Sequence, residues 1–414
     1  MASASFVFLL LLFALVYISA VVADQSSNIS LGSSLSPSST NSSWLSPSGQ
    51  FAFGFYPQGN SFAIGIWFDQ IPEHTVVWTS NRDDRPSSRD ATLLLTTDGK
   101  LVLQRTPQDQ PKSIADDSQF ASSAFMLDTG NFVLYNSNGK IFWQSFDFPT
   151  DTLLPGQRLH AQHELFSSLS EIYRSTGIFK LNMQSDGNLV QYPNENPQTI
   201  PKAYFATGTN GQGDNVTLNL DNDGHLYLVN SKGTTIYNLF TGGNSVNGTV
   251  FYRMTIDVGG IFRVYSIIVN QKSYYWSIKW ESSTDKCKPK GICGLNAYCT
   301  LMNQTAICDR IPGFSFKEES RHILGCERKL NAGYRGNAIM SKLENTEWEE
   351  NPYYAMLSST TERECNEACL ADKYCEATSF SDQQCRKLSF PLRYGKKLQN
   401  TDTAASTIFV KVIS

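Results

Sequence analysis

Met183-Gln184-Ser185-Asp186-Gly187-Asn188-Leu189-Val190-Gln191-Tyr192 reads as a short alternating strand returning from an Asp-Gly turn. The same string recurs at Leu94-Leu95-Thr96-Thr97-Asp98-Gly99-Lys100-Leu101-Val102-Leu103 and at Met126-Leu127-Asp128-Thr129-Gly130-Asn131-Phe132-Val133-Leu134-Tyr135. Weaker copies follow around Asp223-Gly224 and Asp257 to Gly260. The aspartates at 98, 128, 186, 223 and 257 are separated by 30, 58, 37 and 34 residues. Repeated but irregular spacing predicts an all-β chain of stacked hairpin units sharing a core, as in prisms and propellers. The long interval puts a boundary between two such units near Trp143 to Gln157.

Around this repeat the composition is that of a globular protein with few charges: 414 residues, 41% hydrophobic and 17% charged. That length calls for two or more domains. Lys and Arg number 34 against 38 Asp and Glu, a net charge of −4 without long single-sign blocks. A nucleic-acid footprint and a polybasic membrane patch are therefore excluded.

At the N-terminus, Phe6 to Val22 is nearly unbroken apolar sequence, and Val21 and Ala23 stand at the −3 and −1 positions of a cleavage site. Residues 1–23 are expected to be a signal peptide, with Asp24 as the mature start. A retained anchor is the alternative, because the segment before the run has no Lys or Arg. After Asp24 no apolar run approaches the roughly 20 residues of a membrane span. Five sequons, at Asn28, Asn41, Asn215, Asn247 and Asn303, fit a secreted, extracellular chain. All nine cysteines lie between Cys287 and Cys385, the mark of small stapled modules appended to a core that needs no staples. The count is odd, so at least one thiol is unpaired or bonded to another chain.

Three stretches carry a family resemblance: Ser46-Pro47-Ser48-Gly49-Gln50-Phe51-Ala52-Phe53-Gly54-Phe55, Val76-Val77-Trp78-Thr79-Ser80-Asn81-Arg82, and Trp143-Gln144-Ser145-Phe146-Asp147-Phe148-Pro149-Thr150-Asp151-Thr152-Leu153-Leu154-Pro155-Gly156-Gln157. The chain resembles the extracellular part of the plant G-type lectin (S-domain) receptor-like kinases. That resemblance implies bulb-type lectin β-prism domains at 24–152 and 153–280, an EGF-like module at 283–326 and a PAN/apple-like module at 327–414. No His-Arg-Asp, Asp-Phe-Gly or Gly-rich phosphate loop of the family's kinase domain occurs in these residues. The implied setting is a plant cell surface, in defence or self-recognition signalling.

Residues 184 to 192 match the family's mannose motif at Gln184, Asp186, Asn188, Val190 and Tyr192. A strand period of two would align these side chains on one face, combining carboxylate, amide, hydroxyl and apolar groups. The resemblance assigns Asp186 and Asn188 to the axial 2-hydroxyl of mannose, Gln184 and Tyr192 to the 3- and 4-hydroxyls, and Val190 to the ring carbons. The alternative is turn chemistry inherited from the repeat, as expected for the incomplete copies at Asp98 and Asp223. In the copy at Asp128, one residue more separates the aspartate from Asn131, which would put them on opposite faces unless a bulge intervenes.

The EGF-like resemblance pairs Cys287 with Cys299 and Cys293 with Cys308. Where the family has a further cysteine, this chain has Arg310, and Cys326 loses its partner. Two readings stand for Cys326: a disulfide-linked dimer, or a buried or capped thiol. In the second module a helical segment, Thr361 to Ala371, offers Cys365 and Cys369 on one face, suited to nested pairing of 365 with 385 and 369 with 375.

No enzyme, cofactor or metal is expected. The five histidines stand apart from acidic or cysteine clusters, and no Gly-x-Ser-x-Gly elbow occurs. The expected partners are mannose-type glycans, with homodimers or complexes with receptor kinases through the cysteine modules. A second function class is a protein-interaction module whose lectin fold is scaffold alone, a soluble partner or decoy of full-length receptors.

Overall fold

The computed structural model describes residues 28–40, 42–115, 118–194, 202–243, 249–269, 275–319, 321–328, 338–348, 357–398 and 407–413. The expected signal peptide and the sequons at Asn41 and Asn247 lie outside these residues. The fold is nearly all-β, and Glu362–Leu370 is the only α-helix among the described residues.

Three four-stranded antiparallel sheets make the first prism. One orders Asn28–Ser30, Ser123–Met126, Phe132–Tyr135 and Ile141–Gln144; the next, Ser34–Leu35, Thr92–Leu95, Leu101–Gln104 and Lys112–Ser113; the last, Ser43–Leu45, Phe51–Gln58, Ser61–Phe68 and Val76–Thr79. Each sheet turns an alternating apolar face inward. Leu93, Leu95, Leu101 and Leu103 meet Met126, Phe132 and Leu134 from one neighbour and Phe53, Ile64, Ile66 and Phe68 from the other. Phe53 and Phe132 stack at 3.8 Å. Burying one such ring stabilises by about 1.5–3 kcal/mol, which explains how this part of the chain dispenses with disulfides.

The hairpins at Asp98 and Asp186 explain the repeat. Gly99 N donates to Thr96 O and Thr96 N to Lys100 O; Gly187 N donates to Gln184 O and Gln184 N to Asn188 O. This is a type I turn followed by a left-handed residue, which glycine fills without steric cost, at φ +88° for Gly187.

A second set of sheets starts at Thr152–Leu153, which pairs with Thr249–Ile256. Arg158–Leu159 pairs with Thr217–Leu220, and Glu164–Ser168 with Thr176–Met183. The two prisms are fastened by Arg82. Its Nε donates to Arg174 O at 2.7 Å, Nη1 to Phe166 O at 2.9 Å, and Nη2 to Ser167 O, Ser175 O and Ser168 Oγ at 3.1–3.2 Å. Asp83 beside it accepts from the backbone N and hydroxyl of Thr176 at 2.7 and 2.6 Å.

The described residues before Ser283 form one compact unit, apart from 202–205 and 259–261, and those from Ser283 onward form the other. Within the latter unit, backbone pairing joins the two cysteine-rich segments. Ala297–Met302 pairs in parallel with Gly395–Lys397, and Asn296 exchanges hydrogen bonds with Leu392. Bonds join Cys287 to Cys299, Cys293 to Cys308, Cys365 to Cys385 and Cys369 to Cys375. The helix starts with a Thr361–Glu364 capping box and buries Cys365 and Cys369.

Cys326 is free and 1% exposed, on the strand Cys326–Arg328 that pairs with Phe314–Phe316. Burial pushes its thiol up to about 11. A bridge to a second chain would need an accessible sulfur, so the structure favours the buried-thiol reading over the disulfide-linked dimer.

Candidate functional site

Gln184 through Tyr192 lie on the turn after Thr176–Met183 and on the strand Leu189–Pro193, in register with Asn182 opposite Val190 and Lys180 opposite Tyr192. Four of the five motif side chains are at least partly accessible. Asp186 is exposed at the turn, where Oδ1 accepts the Asn188 N–H at 3.0 Å. Gln184 Nε2 donates to the Tyr192 hydroxyl at 2.9 Å.

Val190 is the exception. It is 2% exposed, opposite Asn182 on the neighbouring strand. Little of its side chain is therefore accessible for the ring-carbon contact expected of it.

Asn188 anchors a loop as well as presenting its amide nitrogen at the site. Its side-chain carbonyl accepts from Thr207 Oγ1 at 3.1 Å, Gly208 N at 3.0 Å and Thr209 N at 3.3 Å. Thr209 Oγ1 donates to Gly187 O at 2.7 Å, and Gly211 N to Asp186 O at 2.7 Å. The segment Thr207–Gly211 is thus clamped to the turn. Asp186 Oδ2, Gln184 Oε1, Asn188 Nδ2 and the Tyr192 hydroxyl remain for a ligand: two acceptors, one amide donor and one phenol. That set can bind vicinal hydroxyls, each of which offers a donor and an acceptor.

In the other copies the corresponding groups are occupied or changed. The turn at 127–131 has the same bonds as that at 184–188, with Leu127 N to Asn131 O and Gly130 N to Leu127 O. Thr129 therefore stands where Asp186 does, and Asp128 where Ser185 does. The expected extra residue does not exist, because the turn, not the aspartate, sets the register. Asp128 instead accepts from Ser48 N at 2.9 Å, and Asn131, 7% exposed, bonds Gln144, Ser145 and Phe146. Lys100 replaces the asparagine in the first copy and lies 5.8 Å from the Phe120 ring centre. In the copy at Asp223, His225 stacks on Tyr227 at 4.3 Å, while the Tyr227 hydroxyl donates to Asp221 at 3.1 Å.

Of the described sequons, Asn28 lies on an edge strand, Asn215 precedes Thr217–Leu220, and Asn303 lies in the 302–305 hairpin turn; all three are exposed. Among the described residues no three His, Cys, Asp or Glu side chains group as metal ligands, and no helix is long and apolar enough to cross a membrane.

A D-mannose binding lectin family matches residues 75–168, and an S-locus glycoprotein domain matches residues 225–318. A G-type lectin S-receptor-like serine/threonine-protein kinase of Oryza sativa subsp. indica is 31% identical over 421 residues, covering 93% of this chain and 51% of that protein. Another, of Oryza sativa subsp. japonica, is 32% identical and covers 96% of this chain and 52% of its own length. One of Arabidopsis thaliana is 28% identical over 93% of this chain and 50% of its own. The chain spans about half the length of these relatives, taking in their lectin portion and not their kinase domain. Among solved structures, a monomeric monocot mannose-binding lectin of Gastrodia elata is similar over 32% of this chain and 97% of its own, with 25% identity and a TM-score of 0.24. The mannose-specific agglutinin of snowdrop, Galanthus nivalis, covers 28% of this chain and 88% of its own, with 27% identity and a TM-score of 0.22. The chain is thus homologous to the G-type lectin S-receptor-like kinases across their lectin portion, with matches to the D-mannose binding lectin family and the S-locus glycoprotein domain.

Proposed function

We propose that this chain is a secreted or cell-surface protein that recognises mannose-type glycans through the turn and strand from Gln184 to Tyr192. The observation that carries this reading is the set of polar atoms left open on Gln184, Asp186, Asn188 and Tyr192. A sugar seats its diol between Asp186 Oδ2 and Asn188 Nδ2, with Gln184 Oε1 and the Tyr192 hydroxyl alongside. One such shallow contact is worth about −4 kcal/mol, on the order of millimolar, so useful affinity comes from multivalent display. The test is binding of the deglycosylated protein to a surface of clustered mannosides, beside Asp186→Ala. Loss of binding in the variant supports the site; no binding by either form sinks it.

A second reading is supported by Asn188, whose carbonyl is spent on the Thr207–Gly211 segment. On this reading the prisms are a scaffold and the cysteine-rich unit makes contacts with copies of the chain or with full-length receptor kinases. Association that survives Asp186→Ala but is lost when residues 327–414 are replaced would support it.

A further inference from the structure

The sequon Asn215-Val216-Thr217 is tied to the candidate turn. A Cβ placed on Gly187 would lie 3.1 Å from a methyl of Val216 and 3.2 Å from Gly213 O, so the backbone at Gly187 is packed against the segment carrying the sequon. Val216 is fully buried there, while Asn215, one residue before it, is exposed in a left-handed conformation at φ +52°. Asp186, one residue before Gly187, is exposed too. With neighbouring Cα atoms 3.8 Å apart, this chain of contacts leaves the Asp186 and Asn215 Cα atoms no more than about 15 Å apart. The clamp from Asn188 and the Asp186 carbonyl to Thr207–Gly211 holds the intervening loop. The other described sequons are elsewhere: Asn28 on the first prism and Asn303 in the cysteine-rich unit.

We propose that an N-linked glycan on Asn215 occupies the Asp186 end of the candidate saccharide site in the same molecule and so competes with external mannosides. This rests on the glycan-binding reading above. An oligomannose arm presents the same diol as an external ligand. A short flexible tether gives an effective concentration on the order of millimolar, comparable to the dissociation constant of such a site. The self-occupied fraction is then substantial without being complete. Removing the glycan should raise single-site affinity about two-fold, which a polyvalent surface multiplies to several-fold in apparent affinity, not to orders of magnitude.

The experiment uses the full chain from cells that leave N-glycans as oligomannose: wild type, Asn215→Gln, and Thr217→Val as a second way to remove the sequon if the first variant misfolds. Each is paired with Asp186→Ala. Glycopeptide mass spectrometry establishes occupancy at Asn215, binding is read on a mannosylated polymer surface, and endoglycosidase H release is timed at Asn215 against Asn28. The expected result is several-fold tighter binding without the sequon, abolition of binding by Asp186→Ala in every background, and faster release of the Asn215 glycan in that variant. An unmodified Asn215 overturns the proposal. So does unchanged affinity in both sequon variants; if Asp186→Ala still abolishes binding, the saccharide site itself stands. No binding in any form, with release at Asn215 indifferent to Asp186→Ala, overturns the proposal and the saccharide site together.

Discussion

The side-chain carbonyl of Asn188 accepts the backbone N–H of Gly208 at 3.0 Å, and that of Thr209 at 3.3 Å, making a motif residue into the anchor of a loop. Asn188→Ala should leave both amides without their partner, at a local cost of about 1–3 kcal/mol. Faster hydrogen exchange at Gly208 and Thr209 is the expected outcome, with Asn188→Asp retaining protection. Exchange unchanged in the alanine variant would show that the loop holds itself.

Arg82 supplies five hydrogen bonds from the first prism to the second. Truncation to Ala should strand several carbonyls and cost at least about 3 kcal/mol. Arg82→Lys should rescue little, since an ammonium cannot reproduce the planar fork. Urea unfolding is expected to shift to a lower midpoint and split into two transitions; a single unshifted transition would contradict the role given to Arg82.

Cys326 should resist thiol reagents in the folded protein at pH 8 and react on unfolding, because its sulfur is buried and its proton is held to about 11. The sign of the linkage follows from that. The unfolded chain loses the thiol proton near 9, the folded one near 11, so this contribution is fully present below pH 9 and declines as pH rises to 11. Cys326→Ala should flatten that part of the stability profile. Rapid labelling under native conditions would contradict the burial.

Reduction should divide the molecule. Four disulfides close loops of 6 to 20 residues in the unit after Ser283, each worth roughly 2–4 kcal/mol, while the prisms contain no cysteine. Calorimetry with a reductant is expected to lose the transition of the cysteine-rich unit and to keep that of the prisms. Loss of both together would mean that the prisms depend on the stapled unit.

Much of this was legible locally. An Asp-Gly turn with a left-handed glycine, flanked by period-two strands, specifies a hairpin through contacts only a few residues apart, and five copies specify a repeat. The helix at Glu362–Leu370 was readable for the same reason, from the four-residue spacing of Cys365 and Cys369. At Asp128 the local string is misleading: the aspartates look equivalent, whereas the hydrogen bonds align Leu127 with Gln184. The joining of the two cysteine segments through Tyr298 and Gly395 was invisible, since strand pairing across 97 positions leaves no local pattern.

By itself, the sequence determined that the chain is built of turned strands, where its stapled part begins, and which residue types could meet a sugar. Only the tertiary structure decided what those side chains are free to do. The Asn188 carbonyl is spent on Gly208 and Thr209, Val190 is buried, and Arg82 belongs to the prism junction. The reason is physical: a residue's type fixes which hydrogen bonds it can make, but the partner that takes them is set by whichever distant segment the fold brings within about 3 Å.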